Sequence, residues 1–545
     1  MIKIRVMIDT PSIYRKSFKR ESMAKRSIGK ASLLFTAVGS IIGSGWLFGP
    51  YYASQIAGPA ALLSWVIGGL LMILIALTFA ELSAMLPIVG GIARFSHFSH
   101  GTFVSFTMSW CGWISSIVVA PIETSALLQY ASTYLPELSK KVGVTHELTG
   151  IGILVASLIM LLMCYLNCLG MRLIAKTNSA IVLLKIGIPL LTALVFIFTQ
   201  PHVENITSLG FAPYGIRGIL TALPAAGVIF SFIGYSTAIM LAGESKNPQK
   251  NIPFAIIGSI LLCMFLYILV QLAFLLAVDP GMLKNGWKEL QFQGDGGPFA
   301  GMATLIGASW LALLLFADAA ISPFGTALIY SASTARMNYA MSQNGYMPSF
   351  MRKLNDKKAP VVAIITNFLL GLLLFFPFPG WQSMVTFLIS AFIVSYAVGP
   401  LALSSLRKIM PDAKRPFCLP YEKFFAISSF FVCNLLIFWT GWDTFSKILI
   451  AILIGYFFLT LFKFTKEGRK LKLNLSSGLW LFPYYIGLGI ISYLGTFGNG
   501  INYIPFGWDF VVLFLFSLVI FYFSQISRIK VTKPFEEKVE ELPVI

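Results

Sequence analysis

Long apolar runs alternate with short polar segments along the chain, from about residue 32 almost to the C-terminal end. The runs reach the length of about 20 residues that a helix needs to cross the hydrocarbon core of a bilayer. We predict about fourteen membrane-spanning helices, with twelve possible; the eleventh and twelfth are the hardest to separate, since only a turn near Gly441 lies between them. The predicted spans are 32–57, 60–86, 102–135, 149–169, 175–199, 219–243, 252–278, 300–335, 360–378, 381–406, 424–443, 445–464, 478–496 and 508–527.

Small residues interrupt the first predicted span near its middle. Residues 39–50 read GSIIGSGWLFGP, and Gly43, Ser44 and Gly45 stand close to the midpoint. Because the bilayer core offers no water to backbone groups, non-helical backbone persists there only where protein buries it or where it lines a cavity. The interruption therefore predicts either a solute-binding site built from a broken helix or a kink at a close helix contact.

The composition agrees with a membrane protein. The 545 residues are 57% hydrophobic and only 11% charged, and the mean hydropathy is +0.81. A soluble protein would carry about 25% charged residues. The predicted fold class is thus an all-α polytopic membrane protein.

Basic residues are unevenly distributed between the two sides of the predicted membrane. With the N-terminus in the cytosol, about 33 of the 40 lysines and arginines fall in cytosolic segments, which is the asymmetry that sets orientation. We therefore predict a multi-pass protein of the cytoplasmic membrane with both termini in the cytosol. The net charge of +18 favours anionic lipid as a partner, and we predict no nucleic-acid partner because no soluble domain presents a basic patch.

A second interruption follows five spans after the first. Residues 227–237 read GVIFSFIGYST, with Phe230, Ser231 and Gly234 near mid-bilayer. Two interrupted segments at corresponding positions of successive five-helix units point to an inverted-repeat transporter. The N-terminal ends of such half-helices present N–H groups to a carboxylate, and the C-terminal ends present carbonyls to an ammonium group.

Several further motifs accompany the two interruptions. In chain order they are residues 39–45, Pro87 with 90–91, Asn167 through Gly170 to Lys185, Phe230 through 243–248 to Pro253, and Arg336 with 339–348. Together they resemble the amino acid–polyamine–organocation (APC) superfamily over about residues 28–410. The resemblance implies a 5+5 inverted-repeat fold with discontinuous first and sixth helices. We divide the chain into a basic cytosolic tail (1–30), two five-helix repeats (31–200 and 201–410), four additional helices (411–530) and a cytosolic tail (531–545).

The resemblance also implies a substrate site. It places the α-carboxylate of an amino acid on the amides of Ser44 and Gly45, and the α-ammonium group on carbonyls of both broken helices. Phe230 takes the position of an aromatic gate, which would exclude water without adding charge; ordinary packing is the alternative for this ring. The predicted substrate-binding residues are Ile41, Ile42, Gly43, Ser44, Gly45, Phe230, Ser231, Ile233 and Gly234.

Three ionisable residues lie well inside predicted spans and are candidates for proton coupling: Lys185, Glu123 and Asp318. In proton-coupled proteins that this chain resembles, a lysine at the position of Lys185 lies beside the first helix, where its ammonium group replaces a sodium ion. We therefore predict no sodium site and no other cofactor. The alternative for Lys185 is a side chain that extends to the cytosolic surface, and for each acid it is a hydrogen-bonded structural role.

One position departs from the family pattern. Many relatives carry a glutamate two residues after the glycine of the sixth span, where this chain has Ser236. Coupling schemes that depend on that glutamate cannot be transferred. Ser236 together with Asp318, Ser322 and Thr326 resembles the branch of aspartate–proton symporters.

These observations predict a secondary active transporter that imports an acidic or neutral amino acid by alternating access, coupled to protons. Amino acid exchange is the alternative within transport, and a non-transporting sensor with the same fold is a further one. No repeated filter residues indicate a channel, and no HExxH or other metal-binding pattern indicates an enzyme. The predicted partners are the amino acid and the lipid bilayer, and the oligomeric state is left open.

Overall fold

The structure of the protein is a computed structural model that describes residues 28–87, 91–143, 145–169, 172–199, 201–357, 359–378 and 380–529. The predicted tails 1–30 and 531–545 lie outside these residues, apart from 28–30. Within the described residues the molecule consists of helices joined by short connections and one β-hairpin.

The N-terminal third contains the first broken helix and four further helices. Apolar residues predominate in each of them, as a lipid-embedded helix requires, and charged residues such as Glu123 and Lys185 are few. Their bounds are α1 Lys30–Ile41, α2 Gly45–Ala57, α3 Ala61–Met85, α4 Gly91–Ala131, α5 Gly150–Cys168 and α6 Arg172–Thr199. Between α4 and α5, strands β1 Ser139–Val142 and β2 Thr145–Leu148 form an antiparallel hairpin.

The middle third repeats this order with a second broken helix. Helix α7 is followed, after a bend of 50°, by a tight 3₁₀ turn over Phe230–Tyr235 and then by α8. The bounds are α7 Gly215–Ala225, α8 Ser236–Met240, α9 Pro248–Ala277, α10 Pro298–Leu305, α11 Ser309–Gln343, α12 Val361–Leu373, α13 Trp381–Tyr396 and α14 Val398–Ile409.

Five helices complete the described chain. They are α15 Glu422–Thr440, α16 Trp442–Lys463, α17 Leu475–Gly478, α18 Leu481–Leu494 and α19 Trp508–Ser527. The turn that was predicted between the eleventh and twelfth spans is present at Gly441, whose φ of +83° favours glycine.

Every predicted span coincides with a helix or a pair of helices. Among the described residues, eleven helical segments are long and apolar enough to cross a membrane, with α2 and α3 together forming one of them. The bent pair of α7 and residues Phe230–Met240 gives a twelfth if it is one span. Helices α1 and α12 are apolar but shorter. The eighth predicted span, 300–335, covers two helices, because Gly307 with a φ of +78° separates α10 from α11.

Helices α4, α13 and α14 form the centre of the molecule. In the most apolar part of α4 (Arg94–Ala131), and likewise of α13 with α14 (Trp381–Ile409), 94% of the residues are buried. In the most apolar part of α5 and of α19, only 33% are buried. The latter two therefore present their apolar surface to lipid. We call the side where α4 ends and the hairpin follows the hairpin face. The side where α4 begins, near Arg469 and Lys470, is called the basic face.

Candidate functional site

The two predicted interruptions are breaks in the structure, and they lie against each other. A side-chain carbon on Gly45 would lie 2.2 Å from the hydroxyl oxygen of Ser231. One on Gly234 would lie 2.3 Å from the carbonyl oxygen of Ser40. Only glycine permits backbones to approach this closely, so these two glycines set the distance between the broken helices.

The N-terminal end of α2 holds a carboxylate supplied by the protein itself. The backbone N–H of Ser44 donates to Oε2 of Glu123 on α4 at 2.9 Å. A side-chain carbon on Gly43 would lie 2.4 Å from Oε1 of the same carboxylate. Glu123 is buried, and Oε1 has no hydrogen-bond partner among the described residues. Glu123 therefore stands where the sequence predicted the carboxylate of a substrate.

The carbonyls that were predicted to bind a substrate ammonium group also accept hydrogen bonds from the protein's own side chains. Tyr267 on α9 donates its hydroxyl to the carbonyl of Ile41 at 3.3 Å. Tyr396 on α13 donates to the carbonyl of Ile233 at 3.2 Å. Both tyrosines were missed from the sequence, because nothing in their local pattern separates them from other buried aromatics.

Lys185 lies beside the break in the first helix, with its side chain buried in the bundle. Its ammonium group donates to the carbonyls of Gly39 at 2.9 Å and Ile42 at 2.8 Å, and to the hydroxyl of Thr326 on α11 at 2.5 Å. Three donors thus meet three oxygens. The alternative of a side chain that extends to the membrane surface is wrong, because this face of α6 packs against the broken helix.

Asp318 lies on α11 two turns before Thr326, and its side chain is buried. Its Oδ1 accepts a hydrogen bond from Ser322 at 2.7 Å, whereas Oδ2 has no partner among the described residues. Within the described part of the chain, neither Asp318 nor Glu123 forms an ion pair with Lys185. The three predicted coupling residues thus surround the site without direct contact between their charges.

An aromatic pair covers the break on the side of the hairpin face. The ring of Phe230 lies perpendicular to that of Trp381, with centroids 6.0 Å apart. Trp381 in turn donates its indole N–H to the hydroxyl of Ser44 at 2.9 Å and stacks on Tyr52. Phe230 occupies the predicted gate position, and Trp381, which the sequence analysis missed, links it to the broken helix.

A cavity of about 10 Å³ lies between these groups. It is lined by Ser40, Ile41, Val119, Glu123, Phe230, Ile233, Thr326, Tyr330, Leu388 and Phe392. A cavity of this size has room for about one water molecule, so the helices must separate before an amino acid can enter. The structure is a closed form of the site.

A broken-helix pair with a buried lysine and two buried acids suggests a carrier for small charged solutes. Residues 28–441 match a family model described as amino acid permease. The chain belongs to the amino acid permease family. The predicted APC resemblance and the predicted transport of amino acids by a multi-pass membrane protein are thereby confirmed. The prediction that the chain is not an enzyme is confirmed on the same ground.

Characterised relatives cover almost the whole permease. A glutamate/serine transporter of Bacillus subtilis (strain 168) is 38% identical over 503 residues, which are 91% of this chain and 93% of that protein. The aspartate-proton symporter of the same organism is 34% identical over 505 residues, or 92% and 96% of the two chains. Its branched-chain amino acid permease is 28% identical over 466 residues, or 83% and 95%.

On the hairpin face, a carboxylate of the permease connects three elements that surround the site. Asp295, between α9 and α10, accepts the ammonium group of Lys141 on β1 at 2.6 Å and the hydroxyl of Tyr51 on α2 at 3.2 Å. The imidazole of His146 on β2 lies 3.4 Å away. Burial alone would raise the pKa of Asp295, but hydrogen bonds and charges from His146 and Lys141 hold it below its ordinary value. We expect this contact to stabilise the closed form.

Asp295→Asn is therefore expected to lower the melting temperature of the permease at pH 7 by a few degrees. Because folding depresses the pKa of Asp295, its contribution is complete above the unfolded-state pKa of about 3.9 and is lost as the pH falls through the folded-state value. Melting curves from pH 7 to pH 3 should show that the difference in melting temperature between the variant and wild type disappears below about pH 4. The exposed Asp356, changed to Asn, serves as the control. A gap that stays constant with pH would mean that packing, not charge, matters here.

Proposed function

We propose that this permease imports a small polar amino acid of the class glutamate, aspartate or serine, together with protons and without sodium. The names of two relatives above 30% identity support this class. The basic face lies in the cytosol, along with both termini, as the distribution of lysine and arginine indicates.

The contact between Glu123 and Ser44 carries the proposal. A substrate carboxylate that binds the N-terminal end of α2 needs the same Ser44 N–H that Glu123 accepts at 2.9 Å. Two ionised carboxylates at one buried donor repel each other strongly. Substrate therefore binds as Glu123 takes up a proton, and each transport cycle carries that proton with the amino acid.

Lys185 supplies the second part of the coupling. Its ammonium group fills the position of a cation between the Gly39 and Ile42 carbonyls and Thr326. While it is protonated it joins the broken helix to α11, so it stabilises the closed arrangement. Loss of that proton removes a donor and weakens the connection between the two helices.

Proteoliposomes that contain the purified permease test this function. We expect an inward proton gradient to drive uptake of labelled glutamate, aspartate or serine in sodium-free buffer, with no amino acid inside. A protonophore should abolish the uptake. Uptake that requires internal amino acid and ignores the gradient would favour exchange instead. Thermal stabilisation by the amino acids without any flux would favour a sensor.

The variant Glu123→Gln tests the contact itself. Glutamine keeps the size of the side chain and can accept the Ser44 N–H, but it does not take up a proton. We expect gradient-driven uptake to fall at least tenfold while exchange of internal for external amino acid continues. The matched control is Glu289→Gln, the same change at an exposed position outside the site. Equal loss of exchange and of driven uptake would show a purely structural role for Glu123.

A further inference from the structure

The five buried carboxyl groups of the described residues differ in the donors that surround them. They are Glu81, Glu123, Asp295, Asp318 and Asp509. Glu81 accepts two hydrogen bonds from an arginine and one from a backbone N–H. Asp509 accepts three, from one hydroxyl and two backbone N–H groups. Asp295 faces a lysine, a histidine and a tyrosine hydroxyl. Each of these three has the polar surroundings that a buried ionised carboxylate requires.

Glu123 and Asp318 differ from the other three, because each accepts a single hydrogen bond. Glu123 accepts the Ser44 N–H, and Asp318 accepts the Ser322 hydroxyl. The second oxygen of each has no partner, and neither group forms an ion pair within the described part of the chain. A full set of donors holds a buried carboxyl group in its ionised form, whereas one donor leaves the protonated form accessible. Asp318 thus has the surroundings of a proton carrier, but the coupling through Glu123 and Lys185 gives it no role.

Four helices contribute the groups that face the Asp318 carboxyl group. On α11 itself, Ser322 donates to Oδ1 at 2.7 Å. The indole of Trp46 on α2 lies close by, and Lys185 on α6 is near enough for its positive charge to act on Asp318. The phenol of Tyr130 on α4 also interacts electrostatically with it. Lys185 is therefore the charged group, among the described residues, that can stabilise Asp318 after it loses a proton.

Asp318 lies on the hairpin-face side of the central site. Two residues before it, the ring of Phe316 lies 4.8 Å from that of the exposed Tyr134, just beyond the end of α4. Thr326, which binds Lys185, is eight residues further along α11, or about 12 Å along the helix axis. When the site opens to the hairpin face, water therefore reaches Asp318 before it reaches Lys185.

Trp46 connects Asp318 to the first broken helix. It lies on α2 two residues after Ser44, and its indole N–H is close to the Asp318 carboxyl group without forming a hydrogen bond to any described residue. Glu123 contacts the Ser44 N–H on the same half-helix. A movement of α2 relative to α4 and α11 therefore changes the surroundings of both acids together. This gives a physical reason for the two groups to gain and lose protons in the same cycle.

We propose that Asp318 carries a second proton in each transport cycle, in addition to the proton on Glu123. The proposal rests on the proposed function. With the site open to the hairpin face, Oδ2 of Asp318 takes a proton from water and the carboxyl group becomes neutral. With the site open to the basic face, the O–H bond breaks, the proton passes to water, and the positive charge of Lys185 stabilises the carboxylate that remains. The two protons carry two positive charges with neutral serine and a net charge of one with glutamate.

Asp318→Asn tests the second proton, because asparagine keeps the size of the side chain and can accept the Ser322 hydroxyl but does not take up a proton. Proteoliposomes receive a tenfold inward proton gradient at zero membrane potential, with labelled serine outside. Each coupled proton contributes about a tenfold accumulation at equilibrium. We therefore expect about 100-fold accumulation in wild type and about tenfold in the variant. Equal plateaus in the two proteins, or a wild-type plateau of only tenfold, would overturn the proposal; the wild-type plateau tests it even if the variant does not fold.

Asp509→Asn provides a matched control, since Asp509 on α19 is equally buried but has three donors. This variant should melt at a lower temperature and still reach the wild-type plateau, because an equilibrium ratio does not depend on the amount of folded protein. If Asp509→Asn lowers the plateau as Asp318→Asn does, the loss is not specific to the proton carrier and the proposal fails.

The charge moved with each amino acid gives a second measurement. Without a pH difference, wild type should move two positive charges with each serine and one with each glutamate, and Asp318→Asn should move one fewer in both cases. A purely structural role of Asp318 would slow transport but leave this ratio unchanged. Absence of gradient-driven serine, glutamate and aspartate accumulation in wild type would refute the proposed function, whereas tenfold accumulation would refute only the second proton.

Discussion

Gly234→Ala is expected to reduce amino acid uptake to the level of empty liposomes and to abolish thermal stabilisation by substrate. The added carbon would lie 2.3 Å from the carbonyl oxygen of Ser40 and 2.5 Å from the backbone nitrogen of Ile41. Both atoms belong to the backbone, so no side-chain rotation relieves the overlap. The broken helices must move apart, and overpacking of this kind costs about 1–3 kcal/mol. Uptake assays and melting curves with and without glutamate, aspartate and serine measure the effect.

Two other glycines serve as comparisons for this prediction. Gly187 lies on α6 near Lys185, but a side-chain carbon there would meet nothing within 4 Å; Gly187→Ala should behave as wild type. At Gly45 the overlap is with the hydroxyl of Ser231, which can rotate, so Gly45→Ala should lose less activity than Gly234→Ala. Wild-type affinity in Gly234→Ala would show that the backbone contact does not define the site.

The sequence was sufficient for the helical architecture and for the position of both breaks. Apolar runs of spanning length have few alternatives in a bilayer, and two small-residue interruptions at matching positions of successive five-helix units point to a site. The burial of Lys185 was also predicted as one of two alternatives. Whether Lys185 is buried or reaches the cytosolic surface depends on which face of α6 meets the broken helix. Helix packing decides this, and the local sequence does not.

The partners of the site residues could not be predicted, because they come from distant parts of the chain. Ser44 is joined to Glu123 and to Trp381, and Ile41 to Tyr267. Each contact depends on how complete helices pack. The pattern of glycines indicates that backbone groups are exposed at a break, but it carries no information on which side chains satisfy them in the closed form.

The hydrogen bonds between the protein's own side chains and the backbone of the breaks change the interpretation of the site. The sequence predicts free amides and carbonyls that bind an amino acid. In the closed structure the protein's own side chains form hydrogen bonds with these groups, namely the Ser44 amide and the carbonyls of Ile41, Ile42 and Ile233. Substrate must therefore compete with these groups. Competition of this kind couples binding to the movement of the helices that carry them.

Lys185→Met is the second variant with a large expected effect, a loss of gradient-driven uptake of about 100-fold. Methionine preserves the length of the side chain but leaves the carbonyls of Gly39 and Ile42 without their donor in a buried position. Hydrogen bonds to a charged group contribute about 1.5–3 kcal/mol each, and about 1.4 kcal/mol corresponds to a tenfold change in rate. Initial rates of uptake with and without a proton gradient measure the loss.

The exposed Lys250 on α9, changed to Met, controls for the loss of one positive charge and should leave uptake unchanged. Lys185→Arg separates charge from proton transfer, since a guanidinium group stays protonated in proteins. If Lys185 must release its proton during the cycle, the arginine variant retains substrate binding but does not respond to the gradient. Gradient-driven uptake at the wild-type rate in both Lys185 variants would exclude the residue from coupling and leave the carboxylates of Glu123 and Asp318 as carriers of the proton.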